Sequence, residues 1–181
     1  MSGRNKEGIG KKLFFPILFI ILVFFILSFI ILSFIKIDAI FIKSYFNGNI
    51  KKIEYLKDKD RFGIVYTHSV EKSQTSEWYE ARDGKLILME QRYRDQGAGL
   101  PVNLIYKFKY AEDGSFCLYD MNVPFDTVVY RTGAVIANHK FVINGKATPF
   151  LEFSEPREAL EFSTKHISLL QYALRRCQIE Q

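Results

Sequence analysis

The chain has 181 residues, 48% of them apolar and 25% charged, with 11 Gly, 5 Pro and 2 Cys. That composition excludes disordered, collagen-like and disulfide-scaffold classes and allows one domain with a small appendage. The net charge of +5 is not that of a nucleic-acid binder, because Arg4, Lys6, Lys11 and Lys12 outweigh Glu7 within residues 1–12 and the remainder is close to neutral.

From Leu13 to Ile35 the chain reads LFFPILFIILVFFILSFIILSFI, 23 residues without a charge. As a helix this run is about 34 Å long, enough to cross a hydrocarbon core of ~30 Å. Pro16 is expected in its first turn, where a missing N–H costs least. The run exceeds the ~7–15 residues of a signal-peptide core and leads into Lys36 rather than a small-residue cleavage site, so residues 13–35 read as an uncleaved single-pass anchor. Residues 1–12 then form a basic cytoplasmic segment, and residues 36–181 form an extracytoplasmic domain. Lys36, Lys43, Lys51 and Lys52 follow the helix and oppose this orientation, but the cluster before it is tighter.

Beyond the anchor, Asn47-Gly48, Asp83-Gly84, Asp113-Gly114 and Asn144-Gly145 each stand between strand-like runs. Two-residue hairpin turns of type I′ need positive φ at both central positions, which Asn or Asp followed by Gly supplies cheaply. The flanks are 39–46 with 49–56, 76–82 with 85–93, 102–110 with 115–121, and 139–143 with 146–151. Further strands are expected at 62–70, 126–131 and 159–164, while 166–177 suits either a strand or a short helix. The expected fold is all-β, an antiparallel hairpin-rich sandwich or flattened barrel of about ten strands preceded by one transmembrane helix. Cys117 and Cys177 leave both a disulfide and two free thiols open.

Polar residues near the ends of apolar runs are the candidate ligand-binding set. His68 follows Ile64 and Tyr66 on one strand face, and its neighbour Ser69 points to the other, which argues against a nucleophile–base pair. The loop Gln96 to Pro101 carries Gly97 and Gly99, whose amides can approach an anion closely. Arg131 offers a planar fork suited to a carboxylate, and His139 can respond to pH. Together with Glu77, expected to be paired with Arg131, these residues form one candidate pocket: His68, Glu77, Gly97, Gly99, Arg131 and His139. No catalytic residue, cofactor or metal site is assigned, since neither a G-x-S-x-G elbow nor metal-ligand histidine spacing is present in the sequence.

The run Tyr66-Thr67-His68-Ser69-Val70-Glu71, then Glu77, Gly97-Ala98-Gly99-Leu100-Pro101, and Arg131-Thr132-Gly133 leading to His139 resembles the uncharacterised bacterial domain-of-unknown-function family 1850, over about Phe41 to His139. The resemblance implies a small membrane-anchored or exported domain encoded beside tripartite ATP-independent periplasmic (TRAP) transporters of the TAXI type. It implies no activity and no catalytic residue. The expected function is an accessory domain for solute uptake that binds a transporter component or a small anionic solute. The alternatives are an envelope structural or interaction module, and a hydrolase.

Overall fold

The computed structural model describes residues 6–57, 59–69, 72–94, 105–133 and 135–179. Helix α1 spans Lys6–Phe34. Its stretch Phe15–Phe34 is long and apolar enough to cross a membrane and is not buried against the rest of the chain. The helix starts upstream of the apolar run, so Pro16 lies inside it rather than in the first turn. There the ring removes one backbone hydrogen bond instead of occupying a position where none is made.

Eleven strands follow among the described residues. β1 (Lys36–Ser44), β2 (Ile50–Leu56), β8 (Val128–Arg131) and β11 (Ala159–Ser168) form a four-stranded sheet in the order β2-β1-β11-β8. β3 (Arg61–Thr67), β4 (Gln74–Arg82), β5 (Lys85–Tyr93), β6 (Lys107–Tyr110), β7 (Phe116–Phe125), β9 (Lys140–Ile143) and β10 (Lys146–Pro149) form a seven-stranded sheet in the order β10-β9-β3-β4-β5-β7-β6. The registered pairs are antiparallel. The two sheets stay separate, which corrects the barrel alternative. A short 3-10 turn (Phe150–Glu152) follows β10, and helix α2 (Leu169–Ile179) follows β11.

All four turn glycines have positive φ, but only Asp83-Gly84 and Asn144-Gly145 have it at both positions. Those two close the tight hairpins Arg82↔Lys85 and Ile143↔Lys146. The other two sit in longer loops, closed by Ser44 N–H to Asn49 O and Ala111 N–H to Ser115 O. In those loops the glycine alone takes the left-handed position.

The core lies between the sheets. Ile40 and Ile42 of β1, with Leu160 and Phe162 of β11, face Phe62 and Ile64 of β3, and all six are fully buried. Full burial of each such side chain stabilises by roughly 1.5–3 kcal/mol. The outer face of the small sheet is covered too. Ala39, Phe41 and Ile53 pack there against Tyr172 of α2, which explains why β1 reads as a continuous apolar run (AIFI) instead of alternating. Cys117 is buried and Cys177 exposed, and both are free thiols.

Candidate functional site: a tyrosine-bound carboxylate beside an arginine cleft

Strands alternate faces, so Phe62, Ile64 and Tyr66 on β3 and Thr75, Glu77 and Tyr79 on β4 point toward the small sheet. On β5 the same alternation from Leu86 places Glu90 and Arg92 inward. A bulge prevents this: Tyr79 pairs with Leu88 but Trp78 pairs with Glu90, leaving Met89 as the extra residue. One inserted residue reverses the phase of everything after it. Gln91 therefore turns inward opposite Glu77. Glu90 turns outward, where it pairs with Arg92 and, at 3.9 Å, with Arg61.

Glu77 is thus a half-buried carboxylate between the sheets. Its Oε2 accepts hydrogen bonds from the hydroxyl of Tyr79 at 2.9 Å and from that of Tyr130, which reaches across from the small sheet. Its Oε1 accepts from Gln91 Nε2 at 3.3 Å and more weakly from Tyr66 at 3.5 Å. The Tyr79 and Tyr130 hydroxyls lie 2.6 Å apart. Among the described residues Glu77 makes no ion pair, so the expected pairing with Arg131 is replaced by neutral donors. Burial, and then the charge of Glu77, raise the pKa of Tyr66, Tyr79 and Tyr130 above the ordinary phenol value. The three hydroxyls stay protonated and remain donors at neutral pH.

His139 lies against this cluster. Its ring stacks between Tyr66 (centroids 5.0 Å, 27° between planes) and Phe150 (5.4 Å, 26°). The Gly133 N–H donates to His139 Nδ1 at 3.2 Å, which assigns the neutral tautomer its proton on Nε2. Burial lowers the His139 pKa from 6.5 to about 4, so the ring is uncharged at neutral pH. Only glycine fits at 133, because a Cβ there would lie 2.5 Å from that of Ala137 and 3.2 Å from His139 Nδ1.

Beside His139 opens a cleft of about 680 Å³, lined by Arg131, Thr132, Gly133, Val135, Ala137, His139, Pro156 and Arg157. Arg131 ends β8, and Arg157 precedes β11 with its N–H bonded to Thr132 O at 2.9 Å. Arg157 holds φ at 67°, a left-handed conformation costly for a non-glycine residue. Neither arginine has an ion pair among the described residues, and both are exposed.

Of the residues the sequence singled out, Arg131 and His139 therefore line one cleft, and Glu77 joins them through Tyr66 and Tyr130. His68 sits just after β3 in the turn to β4, its N–H bonded to Ser73 O. It is absent from the described cleft lining, although its neighbour Thr67 bonds Ala137 O. Gly97 and Gly99 lie outside the described residues. Sequence reasoning missed Tyr66, Tyr79, Gln91, Tyr130 and Arg157 as parts of the site. The i, i+2 spacing of Glu77 and Tyr79 was the one available signal.

The sequence pattern of a family described as a domain of unknown function, DUF1850, matches residues 62–150. The chain belongs to the DUF1850 family. The matched stretch begins at β3, not near Phe41, and runs to Phe150. It contains the seven-stranded sheet apart from Arg61 at the start of β3, together with β8 and every member of the Glu77–His139 cluster. The DUF1850 region does not contain β1, β2 or β11, so the strands that complete the sandwich lie outside it. Neither the curated proteins nor the solved structures gave a match to the chain.

Proposed function

We propose that this DUF1850 protein is a single-pass membrane-anchored domain, with residues 1–12 inside and residues 36–181 outside, whose cleft receives a carboxylate-bearing ligand. The ligand is a small anionic solute or a transporter component in TRAP-type (TAXI) uptake. The observation that carries the reading is the pair of exposed arginines, Arg131 and Arg157, which face one cleft and have no carboxylate partner among the described residues. An arginine that serves only the fold gains from a buried counter-charge, and the nearest such role, beside Glu77, is filled by tyrosines. The planar fork of arginine favours bidentate contact with carboxylates, and the uncharged Nε2–H of His139 adds a neutral donor. The uptake context is supported by the family resemblance, and the anchor by the apolar helix α1.

The test is thermal unfolding of the full chain in detergent against amino acids, dicarboxylates and glutathione. A ligand at 100 times its Kd stabilises by about 2.7 kcal/mol. Arg131→Ala and Arg157→Ala are expected to abolish that shift while leaving ligand-free stability within about 0.5 kcal/mol, as for exposed positions. A flat response to every carboxylate rejects the ligand site and leaves an envelope interaction module. Protease added to spheroplasts tests the orientation: full protection of the domain reverses it.

A further inference from the structure

A second cationic centre lies on the other side of the small sheet, and the cleft reading does not use it. Phe41 of β1 points to the outer face, where it is almost fully buried. Three cations surround its ring: Lys43 Nζ at 6.0 Å from the centroid, Lys165 Nζ at 5.6 Å and the Arg175 guanidinium at 5.6 Å. They come from three elements, β1, β11 and α2. None forms an ion pair among the described residues. Glu161 faces Lys43 in the β1–β11 register but lies beyond ion-pair distance, so the cluster keeps an excess of positive charge. The ring's negative face offsets part of the mutual repulsion, a small effect at exposed sites.

A further observation points to a ligand. Ser163 stands directly opposite Phe41 in the register and points to the same outer face. It is 7% exposed, and its Oγ is buried without a hydrogen-bond partner. An unsatisfied buried hydroxyl is costly and calls for an acceptor. Two ammonium groups acting as point charges, one guanidinium and one hydroxyl, gathered around a single ring, suit a compact oxyanion with several oxygens.

We propose that Lys43, Ser163, Lys165 and Arg175 form a phosphate-binding site on the α2 face of the small sheet. The same chemistry is offered by free phosphate and by the headgroup of an anionic phospholipid. The second source is within reach of the anchor, because Leu169, the first residue of α2, donates its N–H to Ile35 O at the end of α1. The site also gives Lys43 a role that membrane orientation does not.

The test places the full chain in bilayer nanodiscs of phosphatidylcholine alone or mixed with phosphatidylglycerol, and reads thermal unfolding and phosphorus NMR linewidth. Arg131→Ala/Arg157→Ala serves as the background, so that the cleft cannot account for any response. In phosphatidylcholine, added inorganic phosphate is expected to raise the unfolding temperature. Lys165→Gln/Arg175→Gln is expected to weaken the apparent affinity at least about tenfold, the scale of losing one charge-assisted contact. A response to phosphatidylglycerol without added phosphate, removed by the same pair of substitutions, identifies the lipid headgroup as the source. No response to either probe overturns the proposal, as does a response that Lys165→Gln/Arg175→Gln leaves unchanged. If that pair lowers the ligand-free unfolding temperature, Lys43→Gln is read instead against Lys43→Arg, with loss expected in the first and retention in the second.

Discussion

His139 ties the cleft to pH. An unfolded histidine takes up its proton near pH 6.5, whereas the stacked ring in the folded domain does so near pH 4. Between those values the unfolded state binds more protons, so stability falls as pH drops through that window and is unaffected above it. A shift of this size corresponds to roughly 3 kcal/mol in full. Because the ring is partly accessible, about 1–2 kcal/mol is expected after allowance for solvent screening. Urea unfolding of the wild type at pH 7 and pH 4.5, compared with His139→Phe, measures it. The wild type should lose stability and the variant should lose clearly less; parallel losses would mean that His139 is not the responsible group. The residue types of this site were legible in the sequence. Glu77 and His139 stood out as polar groups at the ends of apolar strands. Their partners did not, because Tyr130 comes from the opposite sheet and its approach to Glu77 is set by sheet packing, not by any spacing along the chain.

At the scale of single elements, the seven-stranded sheet depends on one glycine for its outer face. A Cβ at Gly63 would sit 2.9 Å from the ring of Trp78, its partner in the β3–β4 register. The indole lies flat over the glycine and donates Nε1–H to Ser76 Oγ at 3.1 Å. Gly63→Ala is expected to cost about 1–3 kcal/mol by overpacking and to shift the fluorescence of Trp78, the chain's single tryptophan. An unchanged melting temperature with unchanged emission would show that the ring moves aside freely. The elements themselves were largely readable. Asn-Gly and Asp-Gly marked all four hairpins because the backbone conformation there is costly for other residues. The bulge at Met89 was not readable, since LILMEQRY contains nothing that forces an extra residue. That single slip decides whether Gln91 or Glu90 faces the core. The end of β11 was ambiguous for a related reason. Ile167 and Leu170 fit either period, and the helix begins only where the strand runs out of its β1 partner at Lys36↔Ser168.

For the molecule as a whole, β1 and β11 form the most extensive pairing in the small sheet, from Lys36↔Ser168 to Ser44↔Leu160. Removing β11 and α2 would leave β1 without its main neighbour, with Ile40 and Ile42 of the core and Phe41 of the outer face uncovered. A chain ended after Glu158 is therefore expected to retain helix α1 but to be degraded or aggregated, as read by limited proteolysis; a protease-resistant core like that of the full chain would refute this. The same pairing also orders events in time. The first folded strand leaves the ribosome directly behind the helix, while its partner is synthesised after more than a hundred intervening residues. Contacts so distant in sequence form late, after the entropy of closing the loop has been overcome. The DUF1850 region is made in that interval with both flanking strands still unjoined. Assembly of the two-sheet body is consequently a late event, completed only when the chain returns to the end of α1, where Leu169 N–H meets Ile35 O.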